Sequence, residues 1–369
     1  MFFITFMSDF NTAFLEMTIN DLRRSILRGL TSGIGNRAKD DLALSKISYD
    51  EIKRVLLCRP NGRLGNQLLM TPLVKEVAED FPDCKIDLFV KGNLARILFK
   101  NYPQVDRIIR LPGRPFRHLW AYMKVWIALR RYTYDLIVNV TPNSSSGRLA
   151  TSFSRGKYRL YCEIPEEVAQ NEDYMHMAKK PVYCLRALLK RIGWQDMGKP
   201  ISELDIKLNA EDMRHGAEVL KGLVKNDKPT ISLYTYATGA KCFSKDWWLE
   251  FYGRLKERFG DDYNFVEILP VENVSQIDFR EISFYSRDLF EIAAVMANTE
   301  MYIGADCGIM HLAGAAHIPV LGLFSMTDPR VYQVYNAHSV AIKTSDVTDM
   351  DEIIEKVDEI LKKRHTAIN

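Results

Sequence analysis

Asp306 and His311 stand in the stretch MYIGADCGIMHLAGAAHIPVLGLF, residues 301–324. The pattern reads as a short strand, a turn on Gly304 and Gly308, a helix of small residues and a second apolar strand. A helix N-terminus gathers unpaired N–H groups and roughly half a positive charge, so it attracts anions such as phosphate. Cys307 and His311 lie one helical turn apart, and the small residues from Ala313 to Ala316 allow close packing on a sheet. A phosphate at this helix mouth would be held by backbone, flanked by Asp306 and His311. In the plainer alternative Asp306 only caps the helix, and His311 is a satisfied, half-buried side chain.

Three further groups could join such a site. Arg59-Pro-Asn-Gly-Arg-Leu-Gly-Asn-Gln67 follows an apolar run, and Gly62 and Gly65 let backbone approach a ligand. The following helix should point its positive end at the same place. The loop is neither a Walker sequence nor a dinucleotide fingerprint. Thr235-Tyr-Ala-Thr-Gly-Ala-Lys241 offers hydroxyls at Thr235 and Thr238 and a point charge at Lys241 suited to a diphosphate. An exposed loop lysine is the ordinary alternative. Residues Arg107–Arg131 hold seven Arg/Lys and no acid, interleaved with Phe116, Trp120, Tyr122 and Trp126. A phosphorylated glycolipid at a membrane surface would suit them, as would single-stranded nucleic acid. So would a solvated helix face over a buried aromatic stripe.

These loops need a scaffold. From Lys53 onward strands and helices alternate: strands at Arg54–Arg59, Lys85–Val90, Arg107–Leu111 and Asp135–Val140, with helices near Leu68–Asp80, from Asn93 and near Leu119–Arg131. A second series has strands at Thr230–Tyr234, Phe265–Ile268, Met301–Ile303 and Val320–Phe324. The alternation predicts doubly wound parallel sheets, and a length of 369 residues suggests two domains. The boundaries read as a helical appendage over 1–50, domains over 51–208 and 209–345, and a charged helix over 346–369 packing across the junction. Thr12–Leu30 has the apolar spacing and arginines of a basic amphipathic helix, which either packs on its own protein or lies on a membrane.

The net charge of +3 gives nucleic-acid binding no global support. Six scattered cysteines without a CxxC pair indicate reduced thiols, not a zinc site or disulfide framework. No run approaches the ~20 apolar residues that span a bilayer, and the opening MFFITFMSDF lacks the basic start of a signal peptide. A cytoplasmic protein is expected.

The blocks GRLGNQLLMTPLVKEVAEDFP, KIDLFV and NYPQVDRII, Lys241 with Trp247 and Trp248, and RDLFEIAAVMANTEMYIGADCGIMHLAGAAHIPVLGLFSMTDP resemble glycosyltransferase family 9, the heptosyltransferase-like enzymes. They cover roughly residues 53–330 in the family's order. The resemblance implies a GT-B fold, two Rossmann-like doubly wound domains facing a central crevice. It implies an acceptor on the first domain, a nucleotide-diphospho-sugar on the second as co-substrate, and inverting transfer with no cofactor and no obligatory metal. Carried over by position, Gly65, Thr235, Thr238, Lys241, Asp306, Cys307, Gly308 and His311 would bind the donor, with Lys241 stabilising the leaving group. Arg63, Arg114, Arg117 and Arg148 are candidates for a phosphorylated glycolipid or glycan acceptor, with peripheral contact to an anionic membrane. Asp349-Met-Asp351 sits where carboxylates cap a helix rather than chelate.

One position departs from the family. Its glycine loop ends in Gly-Asp, and that Asp is the expected general base; here the residue is Asn66. A neutral amide accepts no proton, and general-base help is worth ~10²–10⁴-fold. Hence a catalytically weak nucleotide-sugar-binding scaffold stands beside the transferase reading. A sugar-nucleotide epimerase would need crevice carboxylates that do not stand out, and a nucleic-acid binder ranks last. The stretch Ile268–Ser283 is shorter than the family's, which leaves the base and sugar of the donor open.

Overall fold

The computed structural model describes residues 51–112, 119–163, 166–191, 193–194, 198–347 and 349–368. The expected appendage over 1–50, with its Thr12–Leu30 helix, and Arg114 and Arg117 lie outside the described residues.

Two all-parallel sheets carry the chain. The first joins β1 (Arg54–Arg59), β2 (Lys85–Lys91), β3 (Val105–Leu111), β4 (Thr133–Asn139) and β5 (Arg155–Leu160) in the order β3-β2-β1-β4-β5. The second joins β6 (Thr230–Tyr234), β7 (Asn264–Ile268), β8 (Ile282–Phe284), β9 (Met301–Ala305), β10 (Val320–Phe324) and β11 (Val340–Lys343) in the order β11-β10-β9-β6-β7-β8. β1 shows why the central strands read as unbroken apolar runs: Val55 and Leu57 enter the core on one face, Leu56 and Cys58 on the other. β5 reads as basic because it is an edge. Its Lys157 pairs with Asp135 at 3.0 Å, and Arg159 donates to the Thr151 and Ser154 carbonyls.

In the first domain the helices are α1 (Leu64–Leu68), α2 (Thr71–Asp80), α3 (Leu94–Leu98), α4 (Leu119–Leu129), α5 (Ser145–Phe153), α6 (Glu166–Ala169) and α7 (Lys179–Arg191). Sequence periodicity predicts one helix near Leu68–Asp80; two form, because Pro72 in the first turn of α2 opens a new helix there. α1 is therefore a single turn and does not offer the extended helix mouth expected behind the glycine loop. The second domain adds α8 (Ala210–Val224), α9 (Lys245–Phe259), α10 (Leu289–Ala297), α11 (Gly308–Ala315), α12 (Pro329–Tyr332) and α13 (Met350–Ile368). A capping box between Asn209 and Asp212 starts α8, which packs on α10. No described helix is long and apolar enough to cross a membrane.

α13 lies elsewhere than across the junction. Its Ile353, Ile354, Val357, Ile360 and Leu361 pack with Trp248, Phe251 and Leu255 of α9, on the outer face of the second sheet. Arg254 of α9 binds both Asp349 and Asp351, at 3.3 and 2.6 Å. That pair of carboxylates is an ion-pair anchor for the helix start.

Residues 198–209 join the domains without regular structure and are fixed to both. Tyr102 donates to the Asp205 carbonyl at 2.6 Å, Asn101 to that of Lys207 at 2.7 Å and Tyr335 to that of Ser202 at 2.8 Å. Ile206 N–H bonds the Ala315 carbonyl at 3.0 Å. His317, just after α11, reaches Glu203 and Asp205, each at 3.4 Å. The hydrogen bonds to Asp205 and Glu203 raise its pKa from the ordinary 6.5 to about 9. The folded pKa lies above the unfolded one, so this contribution is full below about pH 6.5 and is lost as pH rises through about 9. Melting temperatures of wild type and His317→Gln should therefore differ near pH 6 and converge above pH 9. A difference independent of pH would exclude this pairing.

Candidate functional site

In each sheet the chain reverses direction of winding beside its first strand, between β1 and β4 in one and between β6 and β9 in the other. Loops leaving the carboxyl ends of such strands diverge and open a crevice. Four sets of residues meet there: 59–67 after β1, 235–241 after β6, 306–308 after β9 and 325–328 after β10.

Asp306 is buried at the head of α11, held by its own N–H to the Leu323 carbonyl at 2.9 Å. Its Oδ2 accepts from both the Lys241 ammonium and the Thr327 hydroxyl. The Lys241 ammonium also lies 5.7 Å from the centre of the Tyr332 ring. α11 starts at Cys307 with no side-chain cap and no acid in its first turn. Of its leading N–H groups, those of Ile309 and Met310 face the Cys307 sulfur, a weak acceptor that an anion can displace. Burial pushes the Cys307 thiol up to about 11, so it is protonated and no nucleophile near neutral pH. Burial likewise holds His311 down to about 4, leaving a neutral imidazole that hydrogen-bonds but carries no charge. On the far side of α11's first turn lies a cleft of about 270 Å³, lined in part by Tyr236, Thr238, Glu272, Arg287, Cys307 and Gly308.

The first domain closes on this site through glycine. A Cβ at Gly65 would stand 2.5 Å from His311 Cδ2, and one at Gly308 would stand 3.0 Å from Leu64 Cβ. α1 and α11 therefore touch backbone to backbone at the point where the two domains meet. The loop before α1 is pinned by Gln67, whose amide donates to the carbonyls of Asn61 at 3.0 Å and Lys91 at 3.1 Å. Asn66 is not free: its Oδ1 accepts from Arg59 Nη2 at 2.9 Å.

The structure thus brings Gly65, Asn66, Lys241, Asp306, Cys307, Gly308 and His311 to one place, with Thr238 in the adjoining cleft. It sets Thr235 apart. That hydroxyl is buried, donates to Glu267 at 2.6 Å and accepts from Gln276 N–H, so it braces the loop from beneath. Arg148, in the helix that follows β4, is engaged with the Pro142 carbonyl at 3.3 Å and Glu163 at 3.2 Å. Arg63 is exposed at the start of α1. Arg107 is structural, paired with buried Asp87 and set 3.4 Å over the Tyr132 ring. Sequence reasoning missed Thr327, Glu272, Arg287 and Arg59. Thr327 falls within a quoted block and Arg59 heads the glycine loop, whereas nothing local marks Glu272 or Arg287.

The sequence model of glycosyltransferase family 9 (heptosyltransferase) matches residues 286–357, the segment holding β9, α11 and β10. Lipopolysaccharide heptosyltransferase 3 of Escherichia coli K12 is 22% identical over 282 residues, which are 72% of this chain and 80% of that protein. The crystal structure of a family 9 glycosyl transferase from Veillonella parvula superposes with a TM-score of 0.66 at 16% identity, over 86% of this chain and 99% of that one. E. coli heptosyltransferase WaaC with ADP superposes with a TM-score of 0.62 at 17% identity, over 83% and 99%. At such identity the two structures speak for the fold, a GT-B pair of Rossmann-like domains. Family model, sequence relative and fold all point to glycosyltransferase family 9, and it is the heptosyltransferases of that family that the chain resembles.

Proposed function

We propose that this chain is an inverting glycosyltransferase that moves a heptose or related sugar from a nucleotide-diphospho-sugar to a lipopolysaccharide or other cell-surface glycan acceptor, without a cofactor or an obligatory metal. The observation that carries the reading is the Lys241–Asp306–Thr327 cluster at the open mouth of α11, beside a cleft of nucleoside size. Inverting transfer needs charge stabilised on the departing diphosphate as an acceptor hydroxyl attacks from the opposite face. Lys241 and the N–H groups of α11 supply that stabilisation, fixed in place before the reaction begins. Glu272 in the cleft suits the hydroxyls of a ribose, since a carboxylate accepts two hydrogen bonds from a vicinal diol. The relative solved with ADP makes an adenine donor the first to try.

A thermal-shift screen against ADP-, GDP-, UDP- and dTDP-sugars, repeated with Asp306→Ala, tests the donor site. One nucleotide should stabilise the wild type and not the variant. Equal shifts in both proteins would refute the assignment. The second reading, a weakly catalytic scaffold, draws on Asn66, whose amide oxygen is bound to a guanidinium and offers no base. Donor binding without transfer to any glycan would favour it.

Peripheral contact with an anionic membrane belongs to the same proposal. One face of α4 packs Tyr122, Val125 and Trp126 against Phe89 and Ile109. On the other, Trp120 is 77% exposed and Ile127 69%, with Met123 between them and Lys124, Arg130 and Arg131 alongside. Such a helix suits the boundary between headgroups and acyl chains. Anionic vesicles should pellet the protein, less so as salt rises and less with Trp120→Ser. Equal pelleting with neutral vesicles, or none, would count against it.

A further inference from the structure

The first sheet ends on β3, and among the described residues no strand pairs with its outer side. With seven residues it is the longest sheet edge, against six in β5, three in β8 and four in β11. An edge strand presents a row of unpaired N–H and C=O groups, which proteins ordinarily cover, shorten or guard with charge. β8 is short, β11 is packed by α12 and α13, and the cations of β5 are bound to its own domain. On β3 the charges of the strand itself are turned aside. Asp106 binds Arg54 at 2.8 Å, Arg107 is paired with Asp87 under the Tyr132 ring, and Arg110 donates to Asn93.

An open groove of about 570 Å³ runs along this edge, lined by Arg96 of α3, by Ile108 and Ile109 of β3, and by Lys124, Val125 and Ala128 of α4. Ile108 packs with the cluster that holds Leu98 of α3, and Ile109 with the one that holds Val125 of α4. The two helices therefore flank the edge from opposite faces of the sheet, each with one cation beside it. Arg96 and Lys124 are exposed, and neither has an acidic partner among the described residues. The groove's acid, Asp106, is already neutralised by Arg54. Its unspent charge is positive, and it comes from the helices rather than from the strand.

We infer that the outer edge of β3 is a docking site for an extended acidic segment of a partner protein, which adds a strand to the first sheet. Main-chain hydrogen bonds to the edge supply affinity, and side chains on the two faces of the added strand supply selectivity. Successive side chains of a strand point to opposite faces, so neighbouring carboxylates reach Arg96 on one side and Lys124 on the other. Small apolar side chains between them meet Val125 and Ala128. A basic strand would form the same backbone bonds against repulsion from both helices. The inference does not depend on the transferase reading.

The test titrates the full chain with a fluorescein-labelled heptapeptide of Asp, Glu and Val, acids on both faces, followed by polarisation at physiological salt. Controls are a peptide with Lys in place of the acids and the acidic peptide N-methylated throughout its backbone. The acidic peptide should bind at least about tenfold tighter than either control, since one lacks the charge and the other the N–H groups. Arg96→Glu/Lys124→Glu changes only exposed positions, should melt as wild type does, and should lose at least about tenfold in affinity for the acidic peptide. Arg96→Glu alone should weaken peptide binding and leave vesicle pelleting unchanged, because Arg96 is not on α4. Four results would overturn the inference. They are no binding of the acidic peptide, equal binding of the N-methylated one, unchanged affinity in the double variant, or Arg96→Glu weakening vesicle pelleting in place of peptide binding, which would give the groove to the membrane. Self-association of the free chain that the double variant abolishes would give the edge to a second copy, and would overturn it too.

Discussion

Replacing Lys241 by alanine is expected to lower the rate of sugar transfer by about 10²–10³-fold, the usual effect of removing a preorganised charge from a developing anion. The loss has two parts that can be separated. Without the ammonium, the departing diphosphate is left with the N–H groups of α11. In addition, buried Asp306 loses its cationic partner, and the carboxylate that Lys241 had offset then faces the donor uncompensated. Donor affinity should therefore fall in Lys241→Ala and partly recover in Lys241→Ala/Asp306→Asn, while the rate does not recover. Lys241→Arg should restore binding better than rate, since a fork is no substitute for a compact charge in a fixed position. Rates within threefold of wild type in Lys241→Ala would remove the residue from the chemistry.

Gly65→Ala should be nearly as damaging, although the residue carries no chemistry. The added methyl would lie 2.5 Å from Cδ2 of buried His311, with Gly308 Cα 3.5 Å away on the same side. Because α1 and α11 meet there, the relief available is for the domains to part. A displacement near 1 Å at a reacting centre costs on the order of 100-fold in rate. Binding of a nucleotide in the proposed cleft, which is lined mostly by the second domain, should change far less. Steady-state rates paired with nucleotide titration would show this split, and small-angle scattering would show a more open particle. A loss of nucleotide affinity equal to the loss of rate would mean that the glycine serves the donor directly.

Much of this arrangement is legible in the sequence, and the reasons are local. Continuous apolar strands alternating with helices specify parallel sheets, and residues 301–324 carry strand, turn and helix in one uninterrupted signal. Asp306 and His311 can be read there because neighbours in sequence stay neighbours in space. Thr235 misleads for the opposite reason. A hydroxyl in a loop after a strand looks available, but its direction is decided by Glu267 on the adjacent strand, thirty-two positions away. The partners of Arg148 are hidden for the same reason, because they depend on how the chain returns after β4. The helix break before Thr71 is marked by Pro72, a signal that the apolar periodicity on either side outweighs. Arg59 is the instructive failure: an arginine closing an apolar run reads as the strand's exit to solvent, and only the packing above it reveals that it never gets out.

The segment over 198–209, bonded to the first domain at Tyr102 and Asn101 and to the second at Ala315 and Tyr335, bears on how the molecule comes apart. A linker held by one side would let each half unfold on its own schedule, but here separating the halves breaks bonds in both. One contiguous set of buried side chains also runs from Val55 in the first sheet to Phe324 in the second. Melting should then be a single cooperative event in which neither half survives the other. A ligand gripping only one half thereby stabilises the whole chain, and the two lobes behave as one thermodynamic unit.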